Sequence, residues 1–498
     1  MAALACPDQY CGKWLKKMAR IPPVNATGTH DYLPRDLVRR NHVFALLRDT
    51  FERYGFEPLE TPAIENTNVL EGKYGEEGEK LLFRILKRGR SLESAASKLD
   101  GAGERTAGDL SRTLSDEALR YDLTVPFARV IAAQQGKLLL PFRRYQMQPV
   151  WRADRPQQGR FREFYQCDVD CVGSASVTVE AEMLAMVSEV FERLGFSRFV
   201  IRVNHRALLA ALLESEGVAA ELRTGVLVAI DKLDKIGADG VRTELEGLGV
   251  PAPVAERLMV AIGITGAPEA VVEQLSQKTK LGENAIGVAA LADLRHLFGY
   301  LRDLGIPDGR YAFDVSTVRG LSYYTGIIYE AVAEGAPVGS LCSGGRYDEL
   351  IGQFTGRDLP CVGISFGLDR MFTAMDLLGL DAEVPVTATQ ALVTLLGPEN
   401  VAASFAAAQA LRTAGVRTEV YADESKALKA QIGFADKKGI PLLVLVGDDE
   451  RTAANVTLRD LRARQQETLP LNRLATRARE NLGMDALDGH GTSISEIC

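Results

Sequence analysis

Apolar residues near the start of the chain follow a helical period. They recur three, four and seven positions apart at Leu37, Phe44, Leu47, Phe51 and Tyr54. This spacing predicts an amphipathic helix over 36–54, with Asp36 as its N-cap and Gly55 at its end. The next segment, 56–65, is extended but contains two prolines, so it is predicted to be an edge strand or an interface strand.

The pattern changes to aromatic and β-branched residues in the stretch 142–170, which reads FRRYQMQPVWRADRPQQGRFREFYQCDVD. Its flanks, 145–151 and 161–169, predict two strands. Its middle, 153–159, is polar and contains proline and glycine, which is typical of a loop. The stretch is therefore predicted to be a hairpin with a long loop.

The other segments of the first 305 residues are predicted to be a loop insertion, a helix, a strand and a run of helices. Residues 88–117 are polar and lack a period, so we predict an exposed insertion there. A helix is predicted over 180–194 and a buried strand over 199–203. From about 205 to 305 the helical spacing breaks only at glycine–proline segments, which predicts a helical domain. A packed insertion without chemistry is the simplest interpretation of that domain.

Strands return at 311–315 and again at 362–366, where a glycine-containing strand runs into a helix that begins near Arg370. Helix N-termini favour phosphate, so Arg370 is a candidate phosphate ligand. Beyond residue 385, three predicted strands alternate with two predicted helices. This βαβαβ order indicates a parallel sheet. The glycine pattern of a dinucleotide site does not follow its first strand.

Composition places the chain among ordinary globular proteins. Of its 498 residues, 46% are hydrophobic and 25% are charged, and the net charge of −8 argues against bulk attraction to nucleic acid but permits a local basic face. There is no run of about 18 apolar residues, so no transmembrane helix is expected. The seven cysteines form no CxxC pair, which favours free thiols in a reduced, cytoplasmic compartment and no metal site.

Arginine is concentrated in the predicted hairpin. Its six arginines are Arg143, Arg144, Arg152, Arg155, Arg160 and Arg162. Guanidinium groups suit bidentate binding of phosphate or carboxylate, so the hairpin is a candidate site for a polyphosphate. A solvated surface hairpin explains the same composition equally well.

Several motifs together resemble those of class II aminoacyl-tRNA synthetases. The predicted helix and strand ending at Pro62 resemble motif 1, the hairpin with Arg152 resembles motif 2, and 367–370 resemble motif 3. Two further stretches, 319–326 (RGLSYYTG) and 343–348 (SGGRYD), are similar to signatures of the histidyl-tRNA synthetase family. The likeness extends over roughly 24–485.

The resemblance implies an α+β fold: an antiparallel sheet core with a helical insertion domain and a C-terminal α/β anticodon-binding domain, in a homodimer. The implied division is an N-terminal extension (1–20), the catalytic core (21–204 and 306–384), the helical insertion (205–305), the anticodon-binding domain (385–485) and a tail (486–498). The implied partners are histidine, ATP with Mg²⁺ on its phosphates, and tRNA(His).

The resemblance also implies roles for individual residues. Arg152 would bridge the histidine carboxylate and the α-phosphate, with Arg319 beside that phosphate as the second catalytic group. Arg160 and Arg370 would hold the outer phosphates of ATP. The remaining residues would surround the amino acid: Asp122, Thr124, Gln166, Asp170, Tyr323, Tyr324 and Tyr347.

Elementary chemistry agrees with such a site. A carboxylate that attacks a phosphate needs fixed cations rather than a general base. Asp122, Asp170 and the tyrosines offer acceptors for an ammonium and an imidazole. Two other classes of protein compete with the enzyme: a non-catalytic, synthetase-like regulatory protein and a nucleic-acid-binding structural protein. The first should have lost its phosphate-binding arginines or the C-terminal domain, and the acidic balance speaks against the second.

Overall fold

A computed structural model describes residues 23–99, 106–156, 161–318, 323–380 and 385–484. The chain forms two compact units, one of residues 1–31 with 46–382 and one of residues 32–45 with 383–498. The strands, in chain order, are β1 (Glu57–Pro58), β2 (Ile64–Asn66), β3 (Arg84–Leu86), β4 (Ser115–Leu119), β5 (Phe142–Trp151), β6 (Glu163–Val172), β7 (Phe199–His205), β8 (Tyr311–Phe313), β9 (Ile327–Ala333), β10 (Cys342–Arg346), β11 (Cys361–Gly367), β12 (Ala391–Val393), β13 (Thr418–Val420), β14 (Leu442–Leu445), β15 (Asn455–Asp460) and β16 (Gln465–Pro470).

The helices, in the same order, are α1 (Pro34–Arg53), α2 (Thr67–Leu70), α3 (Gly75–Lys80), α4 (Gly89–Ser97), α5 (Ala107–Leu114), α6 (Thr124–Gln134), α7 (Thr178–Arg193), α8 (Arg206–Ser215), α9 (Arg223–Ile230), α10 (Leu233–Gly247), α11 (Ala252–Ile262), α12 (Pro268–Lys278), α13 (Ala285–Asp303), α14 (Gly352–Thr355), α15 (Leu368–Leu378), α16 (Val401–Thr413), α17 (Leu428–Lys438), α18 (Asp448–Thr452) and α19 (Leu471–Asn481). The predicted helices over 180–194 and after residue 367 are thus confirmed.

The larger unit is built on one mixed sheet with the strand order β1-β5-β6-β11-β10-β9-β7-β8. The six strands from β5 to β7 in that order pair antiparallel, and β1 and β8 join the two edges in parallel. The antiparallel core and the predicted hairpin, which is β5 and β6, are therefore confirmed. The two-residue strand β1 lies at the sheet edge, as its prolines predicted.

Helix α1 differs from its prediction at its first turn. The helix begins at Pro34, two residues before the expected N-cap, because proline is well suited to the first turn. Asp36 therefore lies inside the helix, where its Oδ2 accepts a hydrogen bond of 3.2 Å from the backbone N–H of Leu33. Gly55 follows the helix with a φ of +75°, a value that favours glycine, so the predicted end is correct.

The polar segment 88–117 is more regular than its sequence predicted. It contains α4, α5 and the start of β4. Helix α5 begins with a capping box in which Thr106 and Asp109 bond each other's backbone, and Arg112 pairs with Asp109 at 3.0 Å. The described residues of this segment are mostly exposed, as predicted for an insertion, but its two short helices were not predicted.

The helical region after β7 runs from α8 to α13, as predicted. Helix α10 ends at Gly247, and α12 begins at Pro268. These helices cluster with the sheet of the larger unit rather than as a unit of their own. The boundaries at 204/205 and 305/306 stay predictions.

The C-terminal residues fold around a five-stranded sheet with the order β13-β12-β14-β15-β16. The three predicted strands pair in parallel, as expected. Strands β15 and β16 extend the sheet antiparallel, so the prediction of a purely parallel sheet was incomplete. Its core is aliphatic and includes Val393, Leu411, Val444, Leu458 and Leu474.

Candidate active site

A cavity of about 320 Å³ opens where β6 lies beside β11. Gln166, Asp168 and Asp170 pair in register with Gly367, Ser365 and Gly363. Side chains two apart on a strand share a face, and all three of these β6 side chains line the cavity. The predicted common orientation is therefore confirmed, and Asp170 is 3% exposed rather than solvated.

The cavity gathers the predicted site residues from distant parts of the chain. Those that line it are Asp122, Thr124, Arg152, Gln166, Asp170, Tyr323, Tyr324, Tyr347 and Arg370. Arg160 and Arg319, the other two predicted residues, lie outside the described residues. The structure thus shows the placement of nine candidates, and their roles stay predictions.

Asp170 is held from three sides. Its Oδ2 lies 2.7 Å from Nη2 of Arg144, and both side chains are almost fully buried. The hydroxyl of Tyr347 donates a hydrogen bond to its Oδ1. Gly363 faces it without a side chain, and a Cβ there would lie 1.9 Å from Oδ1. Burial raises the pKa of Asp170, while the nearby Arg144 guanidinium opposes that shift.

Asp122 is a second buried carboxylate in the cavity. Its Oδ1 accepts hydrogen bonds from the Tyr74 hydroxyl (2.9 Å) and from the backbone N–H of Val125 (3.2 Å). Its Oδ2 is buried and has no hydrogen-bond partner among the residues that the structure describes. Burial raises the pKa of Asp122, because a charged carboxylate loses hydration there.

Asp168 is a third buried carboxylate in the cavity, and it was not among the site residues predicted from the sequence. It is 2% exposed, and within the described part of the chain its Oδ1 has no hydrogen-bond partner. Burial raises the pKa of Asp168 to about 7 and outweighs the attraction of Arg144, while Asp170 raises the pKa further. Burial therefore makes the charged form of Asp168 costly to keep.

Asp168→Asn should change stability in a pH-dependent way. The folded-state pKa lies above the usual value, so folding takes up a proton between about pH 4 and 7 and wild-type stability falls as the pH rises through that window. The variant has no carboxyl group at position 168, so this fall in stability with rising pH is absent. Its free energy of unfolding should exceed that of wild type at pH 8 by on the order of 1–3 kcal/mol, and the two should converge near pH 4. Urea unfolding at both pH values checks this, and a variant less stable than wild type at pH 8 contradicts it.

Tyrosine rings form one wall of the cavity. The rings of Tyr323 and Tyr324 lie 5.0 Å apart, and Tyr323 meets Tyr347 edge to face at 5.8 Å. Burial raises the pKa of all three phenols, so each stays a neutral hydroxyl that can donate or accept a hydrogen bond. The wall suits a planar ring with polar edges.

Two arginines, Arg152 and Arg370, also line the cavity. The Arg152 guanidinium stacks 4.3 Å from the ring centre of Tyr121, and its Nε donates to the Tyr121 carbonyl. Arg370 is in the first turn of α15, and its Nη1 donates to the Ser340 carbonyl at 3.2 Å. From Gly363, which faces Asp170, to Gly367, just before α15, the strand rises by about 13 Å. Arg370 thus marks a cationic end of the cavity, which Asp369 also lines, and Asp170 lies toward the other end of β11.

Three arginines of the hairpin do not line the cavity. Arg143 binds the Glu182 carboxylate and the Tyr54 carbonyl. Arg144 pairs with Asp170, and Arg162 donates to the Asp154 carbonyl at 3.0 Å. The expectation that arginines on both strands bind a polyphosphate was therefore wrong for these three residues. Their charges are neutralised or hydrogen-bonded within the protein.

Arg144, Tyr74 and Asp168 are the contributors that sequence reasoning missed. Arg144 and Asp168 are charged residues on predicted strands, and both side chains are buried in the structure. Their alternation with apolar neighbours was the signal in the sequence that could have indicated this burial. Tyr74 lies 48 residues before its partner Asp122, and no local pattern marks it.

Comparison with known proteins identifies the family. The family model described as histidyl-tRNA synthetase matches residues 109–371, and the one described as anticodon binding domain matches residues 390–481. A curated relative from Gloeobacter violaceus, named histidine–tRNA ligase, is 44% identical over 465 residues, which is 89% of this chain and 96% of that protein. The chain belongs to the histidyl-tRNA synthetase family.

Other members of the histidyl-tRNA synthetase family agree over most of the chain. Histidine–tRNA ligase of Christiangramia forsetii is 38% identical over 459 residues, covering 92% of this chain and 99% of that protein. The crystal structure of histidyl-tRNA synthetase from Nostoc sp. PCC 7120 superposes with a TM-score of 0.80 at 31% identity, covering 93% of this chain and all of that one. The C-terminal five-stranded sheet is thus the anticodon-binding domain of the family.

The described residues contain neither a metal-binding cluster nor a membrane-spanning helix. Among them, no group of three or more histidine, cysteine, aspartate or glutamate side chains is arranged to hold a metal ion. Within the same ranges, no helix is long and apolar enough to cross a membrane.

Proposed function

We propose that this chain is a histidine–tRNA ligase, which converts histidine and ATP to histidyl-adenylate and pyrophosphate and then transfers histidine to the 3′ end of tRNA(His). Membership of the family supports the activity. One feature of the cavity supports the choice of amino acid most directly, namely its buried acceptors without partners.

Besides Asp170 Oδ2, which faces Arg144, three buried oxygens in the cavity have no hydrogen-bond partner among the described residues: Asp122 Oδ2, Gln166 Oε1 and Asp168 Oδ1. Leaving a buried acceptor unpaired costs about 1–3 kcal/mol, and more if it is charged. A ligand that satisfies all three must bring several N–H donors. Histidine supplies an ammonium group and an imidazole N–H, and the tyrosine wall suits its ring. An amino acid with an apolar side chain would leave acceptors unpaired, which is a strong basis for rejection.

ATP would occupy the cationic end of the cavity. Arg152 and Arg370 line the cavity there, and the family resemblance adds Arg160 and Arg319. ATP would arrive with Mg²⁺ on its phosphates, as part of the substrate. The buried carboxylates do not fit this ion well, since Asp122 and Asp170 already accept hydrogen bonds from Tyr74 and Tyr347, and Asp170 pairs with Arg144. We therefore propose no reaction step on a metal ion held by the side chains of the protein.

The proposed first step is a displacement at phosphorus. A histidine carboxylate oxygen forms a bond to the α-phosphorus, the bond from that phosphorus to the bridging oxygen breaks, and pyrophosphate leaves with the electron pair. No proton must move in this step, so the site needs no general base. Arg152 would lie between the carboxylate and the α-phosphate and reduce their repulsion, and positioning of the two substrates supplies the rest.

The proposed second step needs tRNA. The family resemblance implies that the enzyme is a homodimer in the cytoplasm. The 3′-terminal ribose hydroxyl would attack the carbonyl carbon of the adenylate and form an ester bond, while the bond from that carbon to the phosphate oxygen breaks. AMP would leave with the electron pair, and the hydroxyl proton would be released with it. The non-catalytic regulatory protein is the weaker alternative, because Arg152 and Arg370 still line the cavity and the anticodon-binding domain is present.

A chain that ends at residue 384 should still form histidyl-adenylate but should charge tRNA(His) poorly. The cavity residues all precede that point, and the later residues carry the anticodon-binding sheet. Pyrophosphate exchange and tRNA charging of the same preparation check this, with circular dichroism as a control for folding. Unchanged tRNA charging would contradict the role of the C-terminal domain. Loss of exchange in a folded preparation would contradict the assignment of activation to the first 384 residues.

A further inference from the structure

A second cavity, of about 540 Å³, shares no residue with the active-site cavity. Its lining residues are mostly charged or hydroxylic: Lys87, Arg90, Ser91, Ser94, Ala95, Lys98, Arg112, Thr113 and Asp116. Four cationic side chains face one carboxylate, on a chain whose net charge is −8. This basic cavity is therefore an exception to the overall charge of the protein.

The basic cavity is built by the pair α4 and α5. The backbone N–H of Lys87, just before α4, donates to the carbonyl of Leu114, the last residue of α5, at 2.9 Å. The Lys87 ammonium donates to the Thr113 carbonyl at 3.2 Å and lies 3.7 Å from Asp116. The start of α4 and the end of α5 are thus joined, which brings Arg90 close to Lys87 and Arg112.

The lining chemistry selects an anion over other ligands. The hydroxyls of Ser91 and Ser94 are donors that complement the cations, whereas the Thr113 hydroxyl already donates to the Asp109 carbonyl at 2.8 Å. Ala95 is its one apolar lining residue among those described, whereas pockets for small organic ligands are mostly apolar. Arg90 and Lys98 lie near the two ends of α4, about 12 Å apart along the helix axis. This separation suits successive phosphates of a strand better than one small anion.

The position of the basic cavity relates it to the reaction. Strand β4 begins at the cavity's edge and leads to Tyr121, which lines the active site, so Asp116 and Tyr121 are at most about 17 Å apart along the chain. The backbone N–H of Ala153, next to Arg152, donates to the Leu81 carbonyl just before β3, at 2.8 Å. The small sheet β2-β4-β3 thus connects the basic cavity to the active site.

We propose that the basic cavity binds phosphates of the tRNA backbone near the end that enters the active site. This inference rests on the proposed function, since it requires tRNA as a substrate. Lysine and arginine contacts to phosphate give affinity that depends steeply on salt, without reading the base sequence.

The test uses the full chain with Arg90→Ala and Lys98→Ala combined. The KM for tRNA in aminoacylation should rise roughly tenfold at moderate salt, and the slope of log(kcat/KM) against log[salt] should become less steep by about one unit for each lost contact. Histidine-dependent pyrophosphate exchange should stay within about twofold of wild type, because neither residue lines the active site. Arg198→Ala is the matched control, since Arg198 is an exposed arginine paired with Glu334 outside the basic cavity.

Each outcome of this experiment either supports or overturns the proposed phosphate site. A raised KM for tRNA with a reduced salt slope, and a control that behaves as wild type, supports the site. An unchanged KM for tRNA, or an equal rise in the control, overturns it. Failure of the proposed function gives a different result, since wild type itself would then show no histidine-dependent exchange.

Discussion

Arg152→Ala is expected to lower the rate of histidine-dependent pyrophosphate exchange by about 10²–10³-fold, the range for loss of one group that stabilises developing charge. The Arg152 guanidinium lies over the Tyr121 ring and is fixed by the Tyr121 carbonyl, so its position is set before substrates bind. Arg152→Lys should recover little of the rate, because an ammonium cannot bridge a carboxylate and a phosphate in the same geometry. Single-turnover formation of adenylate measures the effect on chemistry directly.

A matched control for Arg152 lies three residues away in the same loop. Arg155 is exposed and does not line the cavity. Arg155→Ala should therefore leave exchange close to wild type. Near wild-type exchange by Arg152→Ala would contradict the role of Arg152, and an equal loss in both variants would indicate damage to the loop instead.

Asp170→Ala is expected to have two separate effects. It leaves the buried Arg144 guanidinium, which sits 4.2 Å from the Phe127 ring centre, without its ion-pair partner. Breaking a buried pair in this way costs about 3–5 kcal/mol of unfolding free energy. It also removes an acceptor from the amino-acid end of the cavity, so the KM for histidine should rise by about tenfold or more while the KM for ATP changes little.

The double variant Arg144→Met/Asp170→Ala separates these effects. Replacing both partners of a buried pair with apolar groups is often close to neutral, so most of the lost stability should return. The KM for histidine should stay raised, since the acceptor is still missing. Denaturant unfolding and exchange kinetics at varied histidine and varied ATP measure the two effects. Recovery of both stability and histidine KM would show that Asp170 acts only as a structural partner of Arg144.

The hairpin within the antiparallel core was predictable from local signals, whereas the antiparallel core itself was implied by the family resemblance. The β5–β6 hairpin has aromatic and β-branched flanks around a polar loop, and the alternation along β6 correctly placed Gln166 and Asp170 on one face. The motif resemblance then assembled residues separated by some 250 positions, from Asp122 to Arg370, which no local pattern could have brought together.

The errors have equally physical causes. Arg143, Arg144 and Arg162 look the same in sequence as a phosphate-binding arginine, and only the folded structure shows that Glu182, Asp170 and a carbonyl bind them. Helices α4 and α5 were missed because each has only eight or nine residues and lies in a segment whose composition is that of a loop. Strands β15 and β16 were missed because β16 is largely exposed and carries few of the apolar residues that mark a strand.

The central claim is that the buried acceptors of the cavity select histidine for activation. ATP–pyrophosphate exchange by the full chain, measured with histidine and with each other amino acid in turn, tests it most directly. The account predicts exchange with histidine that exceeds exchange with any other amino acid by about 10⁴-fold or more in kcat/KM, the discrimination expected when polar groups of a site would be left unpaired. Exchange that is absent with histidine, or equal with an amino acid whose side chain has no N–H donor, would contradict it.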